Sequence, residues 1–596
     1  MSTMAGGDRL SRLNDDVLRR VLYFVPAKEG ALTTALSRRW RLLWPSSGAI
    51  NLVARIREKD EGRYGYVDWE KQRALFYARR DAFVSGAHAA LDAFAEADDR
   101  VPVTKLTFRV EAPGHRDNTI RDFLQRDADW REHNVIGGVL SHPAALGVEE
   151  LQIAAVDSRD GEPMYFETSK YEAISNIYGL GIYPLGLGCL PSETLRVLEL
   201  TNCSEITPAS PPTSFPRLVA LRLRHCNMPL KGLQRIIDVA PLLGSIHLEA
   251  VLLEDDRRYN QPSYQDDIPP SPEQGALLRS LRCPSATTLV IDKCSMKEDG
   301  TIEIYAPMLR RFEYTGVLRH ISLSPPPPEL ARADMNLIDY GCKRDRDPDA
   351  GRRSFWGFVH GFSHAKQVKL RVRHLEDIAV TSEASQVKLL PMLLHLERLE
   401  LQGVYTPTGR VAATAISNLL HCCPALRDLR INLRTAHEDT NKKLSYGLEY
   451  LERKYRSDFQ ESIQRFKRRR SQPTQVARDD DDEHDDGNYF DEVSDLHGLS
   501  GQSFKCLRSC LRPVRLQFLR QRTDCFGIKL IKFFAEHAKV MEEMCIDAGN
   551  QRISEHINPK VRKWIANKSK RRRIKSTSEP PKFEVLSLKR SNWKIG

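Results

Sequence analysis

The sequence has no apolar run long enough to cross a bilayer. Its run "LLPMLLHL" (389–396) falls far short of the roughly 20 residues a spanning helix needs, and Pro391 interrupts it. No early apolar region precedes or follows Asp8, so no signal peptide is expected. There is no Gly-rich phosphate loop and no Cys/His set with zinc spacing, since Cys506 and Cys510 lack a matching second pair. No cofactor is therefore expected. The 12 cysteines do not form a disulfide framework. Cys203, Cys226 and Cys294 sit in strand-like segments, and the adjacent Cys422 and Cys423 cannot make an ordinary bridge to each other. They read as reduced, mostly buried thiols of a cytosolic or nuclear protein. A large charge imbalance is also missing. The net charge of +11 comes from 90 Lys+Arg against 79 Asp+Glu, a weak pull toward acidic partners.

A catalytic constellation is missing too. His421 beside Cys422 lies at the start of a repeat unit, where a buried thiol is the ordinary outcome. The aromatics of "SFWGFVHGFSH" (354–364) read as core. The chain is expected to be no enzyme. What is present is a normal globular balance, 41% hydrophobic and 28% charged over 596 residues. That is too long for one compact domain, and it implies several modules or a repeat array.

The first module begins at "RLNDDVLRRVLYFVPAKEG". Asn14 suits an N-cap, and Asp15 and Asp16 suit the positive end of a helix dipole. Val17, Leu18, Val21, Leu22 and Val25 share one helical face. Pro26 stops that helix and Gly30 loosens the turn. A second short helix is predicted from Ala31 to Leu36 and a third from Arg39 to Leu43, inside "LSRRWRLLW" (36–44). So small a core leaves apolar surface for a partner. Nucleic-acid binding is the weaker reading of the Arg-Arg-Trp-Arg stretch, because the tryptophan spacing suits burial better than base stacking.

Residues 8–48, "LSRLNDDVLRRVLYFVP…ALTTALSRRWRLLW", resemble an F-box of the kind common in plants. The family usually has Leu-Pro where this chain has Leu13-Asn14. The resemblance implies docking on a Skp-type adaptor and, through it, on a cullin. The matching apolar positions are Leu13, Val17, Leu18, Val21, Leu22, Leu36, Trp40, Leu43 and Trp44. Of these, Leu13, Leu18, Leu36, Trp40 and Trp44 are the favoured interface residues, and the others can equally fill the small core.

Residues 49–100 read as linker helices, with Leu75, Phe76, Phe83, Ala87, Ala90, Leu91 and Phe94 at helical spacing. A repeat then runs over 101–435. Leu195, Leu198, Leu200 and Cys203 match Leu218, Leu221, Leu223 and Cys226 at an offset of 23 residues. Further copies are "VEELQI" (148–153), "LGSIHL" (243–248), "LVIDKC" (289–294), "LRRFEY" (309–314), "LERLEL" (396–401) and "LRDLRI" (426–431). Leu-x-x-Leu-x-Leu puts two alternating apolar side chains on the inner face of a short strand, which stacked neighbours then bury. This resembles leucine-rich repeats of the irregular plant type. "DDRRYNQPSYQDDIPPSPEQG" (255–275) and "SPPPPEL" (324–330) read as loops within insertions.

Residues 436–500, with the basic run Lys467 to Arg470 and the acidic "DDDDEHDD" (479–486), read as a charged, partly disordered insertion. Residues 501–566 regain strand, helix, strand patterning and resemble the FBD domain that closes many plant F-box proteins. Such a unit can cap the open edge of a repeat stack. In the tail, 567–596, the residues Lys568, Lys570, Arg571, Arg572, Arg573 and Lys575 form a candidate nuclear localisation signal or a solvated basic tail.

The expected fold is α/β: a small three-helix F-box, an irregular leucine-rich-repeat solenoid and a strand-helix-strand cap. The resemblance implies the substrate-recognition subunit of a Skp–cullin–F-box ubiquitin ligase, in the nucleus and/or cytoplasm, holding an unidentified target protein on its repeats. The alternative is a nuclear scaffold or nucleic-acid-binding protein without ligase assembly. Neither reading involves a membrane.

Overall fold

A computed structural model describes residues 12–56, 69–96, 101–112, 119–127, 129, 131–157, 183–207, 213–253, 279–294, 301–318, 321–339, 348–406, 409–435, 493–518, 526–547 and 564. They fall into two compact units, one within residues 1–306 and one within 307–596.

The first unit opens with three short helices, α1 (Asp15–Leu22), α2 (Ala27–Thr33) and α3 (Arg38–Leu43). Asn14 caps α1 as expected, its Oδ1 accepting from the amides of Asp16 at 2.6 Å and Val17 at 3.1 Å. The second helix starts four residues earlier than the periodicity predicts. Pro26 stands at its N-cap, where its missing N–H costs nothing. Gly30 does not loosen a turn; it lies inside α2, and a Cβ there would sit 2.5 Å from Trp44 Nε1.

Residues 49–100 are not helical throughout. They begin with a strand, β1 (Ala49–Arg55), and continue into one long helix, α4 (Trp69–Ala95). Strand β1 starts a ladder with β2 (Lys105–Ala112), β3 (Glu150–Asp157), β4 (Val197–Thr201), β5 (Ala220–Arg224), β6 (Ser245–Glu249) and β7 (Thr288–Asp292). Each strand pairs parallel with the next in chain order. The register puts Leu151, Leu198, Leu221, Ile246 and Leu289 in one buried row and Ile153, Leu200, Leu223, Leu248 and Ile291 in the next. Each such side chain contributes roughly 1.5–3 kcal/mol by leaving water. The repeat motif is therefore the core motif.

The residue after each of β4 to β7 is left-handed: Asn202, His225, Ala250 and Lys293 have φ between 49° and 57°. After Asn202, His225 and Lys293 the cysteine expected at the turn comes directly next, and after Ala250 the buried Val251 stands in its place. Cys226 Sγ donates to Leu200 O at 3.4 Å and Cys294 Sγ to Leu248 O at 3.5 Å, so each thiol ties its repeat to the one before.

The second unit repeats the plan with β8 (Arg311–Val317), β9 (Arg332–Asp339), β10 (Gln367–His374), β11 (Arg398–Tyr405), β12 (Asp428–Thr435), β13 (Pro513–Phe518) and β14 (Glu543–Asp547). All pair parallel with their chain neighbours. The aromatics Phe355, Trp356, Phe358 and Phe362 are core, as expected. Strand β13, the helix Phe526–His537 and β14 form the expected strand-helix-strand unit. It continues the ladder, with Leu429 opposite Val514 and Ile431 opposite Leu516. The charged insertion is shorter than expected at its end. Lys532 Nζ donates to Val493 O at 2.7 Å and pairs with Asp495 at 2.8 Å, and Leu496 and Leu499 are buried. Residues 436–492 and the basic residues 568–575 lie outside the described residues.

Candidate protein-docking surface on the N-terminal helices

Helix α1 and the turn that follows it carry two adjacent apolar stripes. Leu18 and Leu22, four apart, are buried at 0% and 2% exposure. Val17, Val21 and Phe24, spaced by four and three, point outward at 46–60% exposure. A helix that only closed a core would need the first stripe alone. Leu32 on α2, Leu36 after it and Leu42 on α3 are likewise more than half exposed. The three helices thus leave six large apolar side chains in solvent.

Burial divides the nine residues singled out from the sequence. Leu18, Leu22, Trp40, Leu43 and Trp44 are core. Val17, Val21 and Leu36 are exposed, and Leu13 is half-buried. The tryptophans of "LSRRWRLLW" therefore pack inward. Trp44 meets Phe94 of α4 edge to face, with ring centroids 5.1 Å apart. Phe24 and Leu32 are not among the apolar positions that the sequence resemblance marks, and Leu42, inside "LSRRWRLLW", is exposed beside them. Val17, Val21 and Phe24 do share helical spacing, but nothing local distinguishes their stripe from that of Leu18 and Leu22.

Polar contacts fix the helices to each other. Arg39 pairs with Asp15 at 2.6 Å and donates to Leu13 O, tying α3 to the start of α1. Ser37 Oγ caps α3 by accepting from Trp40 N at 3.4 Å. They are also fixed to the ladder. Asn51 Nδ2 donates to Tyr23 O at 2.9 Å and to Val25 O at 3.0 Å. Pro26 forms a bridge to Asn51 on the outer side of β1. The Tyr23 hydroxyl donates to Glu150 Oε2 at 3.4 Å, and Lys105 Nζ lies 5.1 Å from its ring. Burial and then Glu150 hold the Tyr23 hydroxyl above its ordinary pKa. Among the described residues no helix is long and apolar enough to cross a membrane.

The His421–Cys422 juxtaposition does not form a nucleophile pair. Burial pushes the Cys422 thiol up to about 12. His421 Nε2 lies 3.1 Å from Gln502 Oε1, and its ring packs against Phe504.

No family model matches the chain. Its curated relatives are F-box/FBD/LRR-repeat proteins of Arabidopsis thaliana. An FBD-associated F-box protein is 22% identical over 454 residues, covering 74% of this chain and 82% of the relative. Two F-box/FBD/LRR-repeat proteins match over short stretches, at 39% identity over 62 residues and 49% over 37. Those stretches are 10% and 6% of this chain and only 15% and 9% of the relatives' length.

Proposed function

We propose that the chain is the substrate-recognition subunit of a Skp–cullin–F-box ubiquitin ligase. The N-terminal helices dock on a Skp-type adaptor, which carries the cullin, and the repeats hold a target protein. The chain transfers nothing itself and contributes proximity and orientation. The observation that carries this reading is the outward stripe Val17, Val21 and Phe24, beside the exposed Leu32, Leu36 and Leu42. The names of the relatives support it. Docking falls to these exposed side chains and Leu13, while Leu18, Trp40 and Trp44 shape the surface from beneath. The basic residues 568–575 serve nuclear entry in this reading.

The test is co-purification of the full chain with a plant Skp-type adaptor, beside a Val17→Asp, Leu36→Asp variant. Adaptor binding that survives salt and disappears in the folded variant supports the proposal. A folded wild-type chain that ignores the adaptor but binds nucleic acid salt-sensitively through 568–575 is instead a nuclear scaffold.

A further inference from the structure

The three N-terminal helices carry charge as unevenly as they carry apolar surface. Residues 12–44 hold seven cations against three carboxylates. Arg19 pairs with Asp16 at 3.0 Å and Arg39 with Asp15 at 2.6 Å, which uses two of the three. Arg12, Arg20, Lys28, Arg38 and Arg41 are exposed and form no ion pair among the described residues, and only Glu29 is left to set against them. Glu150, which the Tyr23 hydroxyl reaches from these helices, is itself offset by Lys105 at 3.9 Å.

The placement of these cations is regular. Arg20, Lys28 and Arg38 each stand four residues before an exposed apolar side chain, Phe24, Leu32 and Leu42 in turn. At that spacing each cation lies one helical turn from the apolar group it flanks. Arg20 shows the arrangement directly, with its guanidinium carbon 4.9 Å from the centroid of the Phe24 ring. On α3 the charges work against the helix. Arg38 occupies the first turn, at the positive end of the helix dipole, and no acidic residue shares that turn. Arg41 follows three residues later, so two like charges are neighbours on the surface. Asp15 compensates Arg39, but no described carboxylate compensates Arg38 or Arg41. A local cost without an internal gain is the mark of a functional surface.

Nucleic acid fits this surface less well, because Phe24 is the one ring among the six exposed apolar side chains and base stacking uses several. A bilayer also fits less well. The six are spread over three short helices and the turns after them, not along one amphipathic helix that could lie flat.

We infer that the partner of these helices presents an apolar groove rimmed by carboxylates, and that Arg20, Lys28 and Arg38 set how fast it is captured. This rests on the proposed function and adds the chemistry of the adaptor's surface. The apolar side chains hold the complex once formed, and the cations steer the encounter.

The test is the association and dissociation rate of the full chain on an immobilised plant Skp-type adaptor, at about 50 and about 500 mM NaCl. Association should slow about tenfold across that range while dissociation changes little, so the complex itself survives salt. Arg20→Gln, Arg38→Gln should slow association about threefold or more at low salt and leave dissociation near that of the parent. Lys231→Gln, Arg235→Gln, an equal loss of charge on the helix Leu230–Asp238, leaves both rates unchanged. Val21→Ala speeds dissociation instead. Arg38→Gln removes a charge that the dipole disfavours, and Lys28→Gln alone is the variant to read if the double variant unfolds. Salt-independent association, equal slowing in both double variants, or an effect confined to dissociation overturns the inference. A labelled amphipathic Leu/Glu helical peptide, its Leu/Lys counterpart, a single-stranded DNA decamer and phosphatidylserine vesicles are measured on the same samples. Preference for the Leu/Glu peptide, weakened in Arg20→Gln, Arg38→Gln, supports the acidic rim; preference for any of the other three overturns it. A chain that binds adaptor at salt-independent rates sinks only this idea, and a chain that binds the Leu/Glu peptide but no adaptor sinks only the ligase reading.

Discussion

Asn51, on the first strand of the ladder, donates through one side-chain amide to two carbonyls, Tyr23 O and Val25 O. Those carbonyls close the end of α1, where no further helical turn can receive them. Asn51 thereby pins the N-terminal helices to the repeats, beside the Tyr23 hydroxyl that donates to Glu150.

Replacing Asn51 with Leu leaves both carbonyls unsatisfied. We expect a loss of about 1–3 kcal/mol in the first unit, with faster proteolysis around 23–26. Chemical denaturation and limited chymotrypsin digestion, which cleaves after Tyr23 and Phe24, measure it, and an unchanged midpoint would show that the pin carries no load.

The two stripes of α1 should respond oppositely. Leu18→Ala removes a fully buried side chain and should destabilise by about 2–5 kcal/mol. Val17→Asp should stay within about 0.5 kcal/mol of the parent yet lose adaptor binding. Paired melting curves and co-purification separate the effects. A Val17→Asp protein that still binds would place the docking surface elsewhere.

The thiols make an alkaline prediction. Burial pushes Cys283, Cys294 and Cys422 up to about 12, and Cys506 and Cys545 up to about 11. The folded pKa exceeds the unfolded value of 9.0, so the folded chain holds these protons more tightly. The stabilisation is complete below pH 9 and drains away as pH rises toward 11–12. The melting temperature should fall across that window, and iodoacetamide at pH 8 should label these thiols slowly until the chain unfolds. Rapid labelling of native protein would contradict the burial.

The left-handed turn residues should differ from one another. Asn202 Nδ2 donates to Ala155 O at 2.6 Å, so Asn202→Ala should cost about 1–3 kcal/mol. Lys293 has φ of 53° without the local hydrogen-bonding advantage of Asn, so Lys293→Gly should be neutral or stabilising by up to about 1 kcal/mol. Urea denaturation of the two variants reads the sign directly.

Much of the ladder is legible in the chain. Leu-x-x-Leu-x-Leu needs only the two-residue alternation of a strand to define which side chains are buried, so β4 to β6 and β11 to β12 follow from local spacing. Strands β9 and β10 keep that spacing in weaker residues, Leu330, Ala333 and Met335, then Ala365, Val368 and Leu370. They are hard to see because small or unbranched apolar residues replace the leucines. Strand β1 has no leading leucine at all and is a strand because β2 lies beside it.

Local periodicity and capping are enough to define the stacked repeats, the cap at Asn14 and the terminal strand-helix-strand unit, because both act over a few neighbouring residues. Which apolar residues of the N-terminal helices face solvent is set by long-range packing. Helix α4 brings Phe94 onto Trp44, and Gly30 lets that indole approach α2, so the tryptophans turn inward. The same spacing on α1 and the turn after it then leaves Val17, Val21 and Phe24 uncovered. Local spacing marks both stripes as apolar, and only the packing of distant elements settles which of them is buried.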